Sequence, residues 1–125
     1  MIQVENLKKS FLEMGNPLKT NEILHGNSFE IPDGKFVSIT GKSGSGKSTL
    51  LYSMSTLDTP SAGLVKFDGV EILGLHEDKV HEFRNLKMGF IFQFHHLLPE
   101  LSSLENVLMP ARRTGQHLPL QERAE

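Results

Sequence analysis

Ile2 to Phe11 opens with β-branched residues and predicts a first strand. Leu12 to Asn21 carries Gly15, Asn16 and Pro17, the composition of a loop or a long hairpin connection. Ile23 to Ile31 predicts a second strand, interrupted at Gly26-Asn27, and Pro32-Asp33-Gly34 is a turn. Lys35 to Thr40 (KFVSIT) is a short β-rich run, followed at once by a glycine-rich stretch and a helical pattern over Gly46 to Leu57. After a break at Thr59 to Gly63, Leu64 to Ile72 predicts a hairpin around Asp68-Gly69. His76 to Lys87 is a charged helix with Val80, Phe83 and Leu86 at a spacing of three, and Met88 to Phe92 predicts a brief buried strand. Ser102 and Glu105 have the spacing of a capping box that opens a helix through Arg113, with Pro110 a late irregularity. Gly115 ends that helix, and Pro119 starts another.

Composition narrows the partners. A chain of 125 residues predicts a single unit. The charge balance of 13 basic against 15 acidic residues leaves no excess to neutralise a run of phosphates, so nucleic acid is not an expected partner. There is no cysteine, which excludes disulfides and thiolate metal sites. No stretch approaches the roughly 18 apolar residues that span a bilayer, and the first residues lack a secretion signal's apolar core. These features predict a soluble chain in a reducing cytoplasm.

One motif carries strong chemistry. Gly41-Lys42-Ser43-Gly44-Ser45-Gly46-Lys47-Ser48 has the phosphate-loop spacing: a glycine, four residues, then Gly-Lys-Ser. Glycines let backbone N–H groups turn inward around an anion where a Cβ would clash. The helix that follows points its positive end at the same place. Lys47 supplies a mobile charge for the β- and γ-phosphate oxygens, and the Ser48 hydroxyl is a hard ligand for Mg2+. A Gly/Ser linker would not be expected between a strand and a helix.

The remaining residues narrow the family. The order ENLKKSF, a two-strand lead-in, GKSGSGKSTLL, LDTPSAGLVKFDG and FRNLKMGFIFQ resembles the ATP-binding cassette (ABC) family. FQFHHLLPELSSLENVLMP is similar, more closely, to the ATPase subunit of lipoprotein-releasing exporters and their macrolide-exporter relatives. The resemblance covers about the first half of such an ATPase. It implies an α/β P-loop hydrolase fold, with 1–35 and 64–75 as an antiparallel β subdomain and 36–58 as the phosphate-loop strand and helix. Residues 88–101 become the Q-loop region, and 102–125 the start of a helical subdomain.

Further implications attach to single residues. Phe11 takes the place of the aromatic that stacks on adenine, and Gly41, Lys42, Ser43, Gly44, Ser45, Gly46, Lys47, Ser48 and Thr49 take the phosphate-loop positions. Gln93 matches the glutamine that approaches Mg2+ and the γ-phosphate. Phe94, His95, His96, Leu97, Leu98 and Pro99 fall in the loop that meets a membrane-spanning subunit, so the Gln93 to Leu101 region is the expected membrane-partner contact. Two adjacent histidines on an extended chain point to opposite sides and make a poor metal site. The family also implies ATP and Mg2+ as ligands, a homodimer of ATPase subunits and a place on the cytoplasmic face of a bacterial inner membrane.

The signature sequence, the Walker B aspartate with its catalytic glutamate, and the switch histidine find no match. Asp58, Asp68 and Asp78 follow no apolar strand of four residues. These 125 residues are therefore expected to bind Mg-nucleotide without turning it over. A P-loop phosphotransferase, with Arg112 and Arg113 as its only lid arginines, and a non-catalytic nucleotide-binding fragment are the alternatives.

Overall fold

A computed structural model describes residues 1–94, 96–113, 115 and 117–124. The polypeptide packs as two units, Met1–Val80 and His81–Glu125, where its length predicts one. Residue count alone does not decide this.

The first unit is built on a four-stranded antiparallel sheet of order β2-β1-β3-β4. Its strands are β1 (Ile2–Glu13), β2 (Asn16–Ile31), β3 (Ala62–Phe67) and β4 (Val70–Glu71). Of the two expectations for Leu12 to Asn21, a loop or a long hairpin connection, the second holds: the stretch is the far end of a long hairpin. Its turn narrows to Met14-Gly15, with Gly15 at φ +87°. The predicted hairpin at Asp68-Gly69 forms, with both residues at positive φ (49° and 81°) as a type I′ turn requires.

The central strand carries a bulge that sets the core. Val4 and Leu7 are both buried though three residues apart, because the register shifts between them and Asn6 sits at φ +48°. The extra residue returns the chain to the same face. Asn6 N–H, freed from the ladder, donates to Ser28 Oγ at 2.8 Å. Val4, Leu7, Leu24, Val65 and Ile72 form the buried layer, each worth about 1.5–3 kcal/mol on leaving water. Gly63 on β3 lies directly against the bulge: a Cβ there would sit 2.6 Å from Leu7 Cα and closer still to the Asn6 carbonyl.

Helix α1 (Lys47–Met54) packs on β1 and β2 and ends three residues before the predicted Leu57. Thr56 turns left-handed at φ +61°, and the Tyr52 carbonyl takes the N–H groups of Leu57 and Asp58 at 3.0 and 3.1 Å. Lys35 to Thr40 forms no strand. An extended run becomes one only when a neighbour completes its ladder, and none of the described residues pairs with it. Phe36 is 98% exposed in consequence.

Helix α2 (Glu77–Lys87) spans the boundary between the units. Met88 to Phe92, predicted as a buried strand, is irregular for the same lack of a ladder partner, and Ile91 is fully exposed. In the second unit α3 (Ser103–Arg113) packs against α4 (His117–Ala124). The capping box forms as expected. Ser102 N–H and Oγ–H donate to Glu105 Oε2 at 2.9 and 2.8 Å, and Glu105 N–H donates back to Ser102 Oγ at 3.2 Å. The Ser102 N–H, then its hydroxyl and Arg112, hold the Glu105 carboxyl below its ordinary value of 4.5.

Two outcomes follow from these contacts. Gly63→Ala should lower the unfolding free energy by about 2–4 kcal/mol, from left-handed strain plus overpacking, read as a reduced urea midpoint. Glu105 stabilises α3 above its ordinary value, and that contribution is lost as pH falls through the lowered folded value. Helicity by circular dichroism should therefore drop below about pH 4.5, and Glu105→Gln should flatten that step.

Candidate phosphate-binding site

The phosphate loop is curled, not extended. Ser45 N–H turns back to the Lys42 carbonyl at 3.2 Å, while Gly41, Gly44 and Gly46 hold φ of +152°, +79° and +85°. A Cβ on Gly41 would lie 2.6 Å from Ser45 Oγ. A Cβ on Gly46 would lie 3.0 Å from Ile23 Cγ2, so the glycine lets the start of α1 settle against β2. Gly46 caps α1 without a side chain, and no acidic residue occupies the first turn. The first helical bond runs from Leu50 N–H to the Gly46 carbonyl at 2.7 Å. The N–H groups of Lys47, Ser48 and Thr49 precede that bond, a cluster of donors that the helix does not use. An anion placed there gains both those donors and the positive helix end.

Lys47 spans the loop. Its Nζ donates to the carbonyls of Gly41 and Lys42 at 3.0 and 2.8 Å. Neutral carbonyls of the loop hold the ammonium, and phosphate oxygens, being charged, are stronger acceptors for it.

A cleft of about 360 Å³ opens on this arrangement. Ser43, Gly44, Gly46, Lys47, Ser48 and Thr49 line one side, and Phe11 with Ile23 completes it. The structure thus joins Phe11 on β1 to the phosphate loop, more than thirty positions away in sequence. A second hollow of about 300 Å³ lies on the other flank, between Ile23–Asn27, Ile39–Thr40 and Ser45–Lys47. Gly41 and Lys42 shape the loop through their backbones without facing the main cleft. Ser48 lines the cleft, and its hydroxyl oxygen is a ligand of the kind Mg2+ takes.

Two residues of this region escape a motif search. Ile23 supplies an apolar wall. Lys9, only 8% exposed, lies under the Phe11 ring with its Nζ 4.8 Å from the centroid. The available signal was spacing: Lys9 and Phe11 are two apart on one strand and share a face.

Gln93 lies in the second unit on an exposed, irregular segment. Within that unit Phe92 stacks on Phe90 at 5.8 Å and meets His96 edge-on at 5.1 Å. Phe94 and Leu97 are 71% and 66% exposed. His95, half of the histidine pair, lies outside the described residues. Asn106 on α3, unremarked in the sequence, ties the far end of this segment. Its Nδ2 donates to the carbonyls of Leu98, Leu101 and Ser102 at 3.0–3.1 Å, and its Oδ1 accepts Leu98 N–H at 2.9 Å.

Comparison with known proteins agrees with this geometry. A family model described as ABC transporter matches residues 24–125. The lipoprotein-releasing system ATP-binding protein LolD of Leptospira interrogans is 56% identical over 114 residues, 91% of this chain and 45% of that protein. LolD of Aquifex aeolicus is 45% identical over 116 residues, 93% and 49% of the two chains. A solved dimeric bacterial ABC transporter cassette, MJ0796, superposes with a TM-score of 0.82 at 38% identity, over 90% of this chain and 47% of that one. The same cassette in a dimeric post-hydrolysis state bound to ADP and Pi gives 0.84 at 34% identity, over 99% and 54%. The chain spans about half the length of the relatives it matches.

The glycines of the loop can be ranked. Gly44→Ala meets open space and should cost only the left-handed penalty, about 1–2 kcal/mol. Gly46→Ala adds the collision with Ile23 and should cost about 2–4 kcal/mol in urea unfolding.

Proposed function

The chain belongs to the ABC transporter family, and from that premise we propose that its cleft binds Mg-ATP for a bacterial exporter of the lipoprotein-releasing kind. The observation that carries this reading is the cluster of unused N–H groups at Lys47–Thr49, with the Lys47 ammonium held by the loop's carbonyls and Phe11 lining the same cleft. A triphosphate needs many donors in a small volume and a base needs a flat apolar surface; one hollow offers both.

Each residue then has a task. The loop from Gly41 to Thr49 cradles the phosphates, Lys47 neutralises the β and γ oxygens, and Phe11 takes the base. Ser48 is the proposed oxygen ligand of Mg2+ at the loop, which when bound neutralises charge on the phosphates. The nucleotide joins two copies of the ATPase subunit, and binding that favours the joined state shifts the balance toward it. The segment from Gln93 to Leu101, with Phe94 and Leu97 outward, passes the movement to membrane-spanning subunits at the cytoplasmic face of the inner membrane. Hydrolysis and lipoprotein release belong in this proposal to the whole ATPase, of which these residues form the nucleotide-cradling part. A phosphotransferase lid is not favoured, because Arg112 is engaged with Glu105 along α3 at 3.5 Å.

Calorimetric titration with Mg-ATP tests the reading. Lys47→Ala should weaken binding at least about tenfold, the loss of a charge-assisted contact. Ser48→Ala should bind ATP with less dependence on Mg2+. Equal affinity of the wild-type chain and Lys47→Ala would remove the loop as the site.

A further inference from the structure

Lys9 is buried, charged and committed. Its Nζ donates to Asp58 Oδ1 and to the Thr59 carbonyl, each at 2.6 Å, with 11% of its side chain exposed. Burying an ammonium is costly unless it is paired and hydrogen-bonded. Here the two oxygens meet that need and also fix where the charge stands. The amine is thereby occupied, and Lys9 is not among the residues that line the phosphate cleft. What remains to it is the Phe11 ring, 4.8 Å from centroid to Nζ, within the range of a cation–π contact.

The anchor leads back to the phosphate loop. Asp58 N–H is held by the Tyr52 carbonyl at 3.1 Å, so Asp58 is fixed to the last turn of α1, the helix whose first turn borders the cleft. The chain of contacts runs from α1 through Asp58 and Lys9 to Phe11. Phe11 is 44% exposed and borders the cleft, so the ring still presents surface there while the ammonium holds it.

We infer that Lys9 is a positioning residue for base recognition: clamped by Asp58 and Thr59, it holds the Phe11 ring where a planar heteroaromatic base stacks while the phosphates occupy the loop. The inference rests on the nucleotide reading of this cleft and adds a specific claim to it. A ring held beforehand loses less rotational freedom on stacking than a free one. A positive charge near the ring also draws on its π electrons and favours an electron-rich base.

Titration with two probes, Mg-ATP and inorganic tripolyphosphate, separates the base from the phosphates. Lys9→Met, which keeps the stem's packing, should weaken ATP about three- to tenfold and leave tripolyphosphate unchanged. Lys9→Arg should restore ATP affinity, and in a Phe11→Leu background Lys9→Met should have no further effect. Should Lys9→Met not fold, Asp58→Asn must show the same split between the probes. Unchanged ATP affinity in these variants, or an equal loss for both probes, overturns the inference. If the wild-type chain binds neither probe, the nucleotide reading itself fails; if it binds both and the variants show no split, only the role of Lys9 does.

Discussion

The first unit depends on how closely α1 can approach β2. Gly46 makes that approach possible, since any side chain there would press into Ile23. Because the helix starts hard against the sheet, its unused N–H groups open into the same hollow that Phe11 borders from β1. A methyl group at this position would have to be accommodated by Ile23 or by a shift of the helix start, the end that lines the cleft. The requirement for glycine at this position is therefore tertiary as well as conformational.

The same frame closes at the other end of the helix. The left-handed turn at Thr56 brings Asp58 back under β1, where it meets Lys9, and β1 is the central strand of the sheet. The bulge at Asn6 sets which face Lys9 and Phe11 occupy, by returning Leu7 to the buried side. One irregular residue in β1 thus decides both the core and the side of the sheet on which the ring stands. Gly63 contributes by admitting the bulged carbonyl, which a larger neighbour would exclude.

Features written in local chemistry were legible in the sequence. The phosphate loop, the Asp68-Gly69 turn and the Ser102–Glu105 capping box each depend on residues within a few positions of one another, and each forms. Features that need a distant partner were not. Lys35 to Thr40 and Met88 to Phe92 have strand composition, yet a strand exists only as half of a pair, and composition does not name the other half. The contact between Lys9 and Asp58 joins residues 49 apart in sequence, and nothing near either one announces the other. Phe11 was placed through family resemblance, and its union with the loop is a property of the folded sheet.

Asn106 shows the same limit in the second unit and explains how that unit is organised. Neither end of an exposed segment rich in Phe and Leu is fixed by strand pairing, so the segment must be ordered by something else. The Asn106 side chain does this at one end, satisfying three carbonyls and one N–H from the first turn of α3. These backbone contacts, in which the two Nδ2 hydrogens are shared among three carbonyls, stand in place of a ladder, and Phe94 and Leu97 remain exposed. An amide is suited to this because it carries donors and an acceptor on one rigid plane; a leucine of similar size would take away the acceptor of Leu98 N–H and the donor to the Leu101 carbonyl. Backbone hydrogen bonding and exposure of apolar side chains, usually opposed, coexist here because the polar contacts come from Asn106 and the Leu98–Leu101 turn while Phe92 pairs with Phe90 and His96, none of which needs Phe94 or Leu97 to be buried.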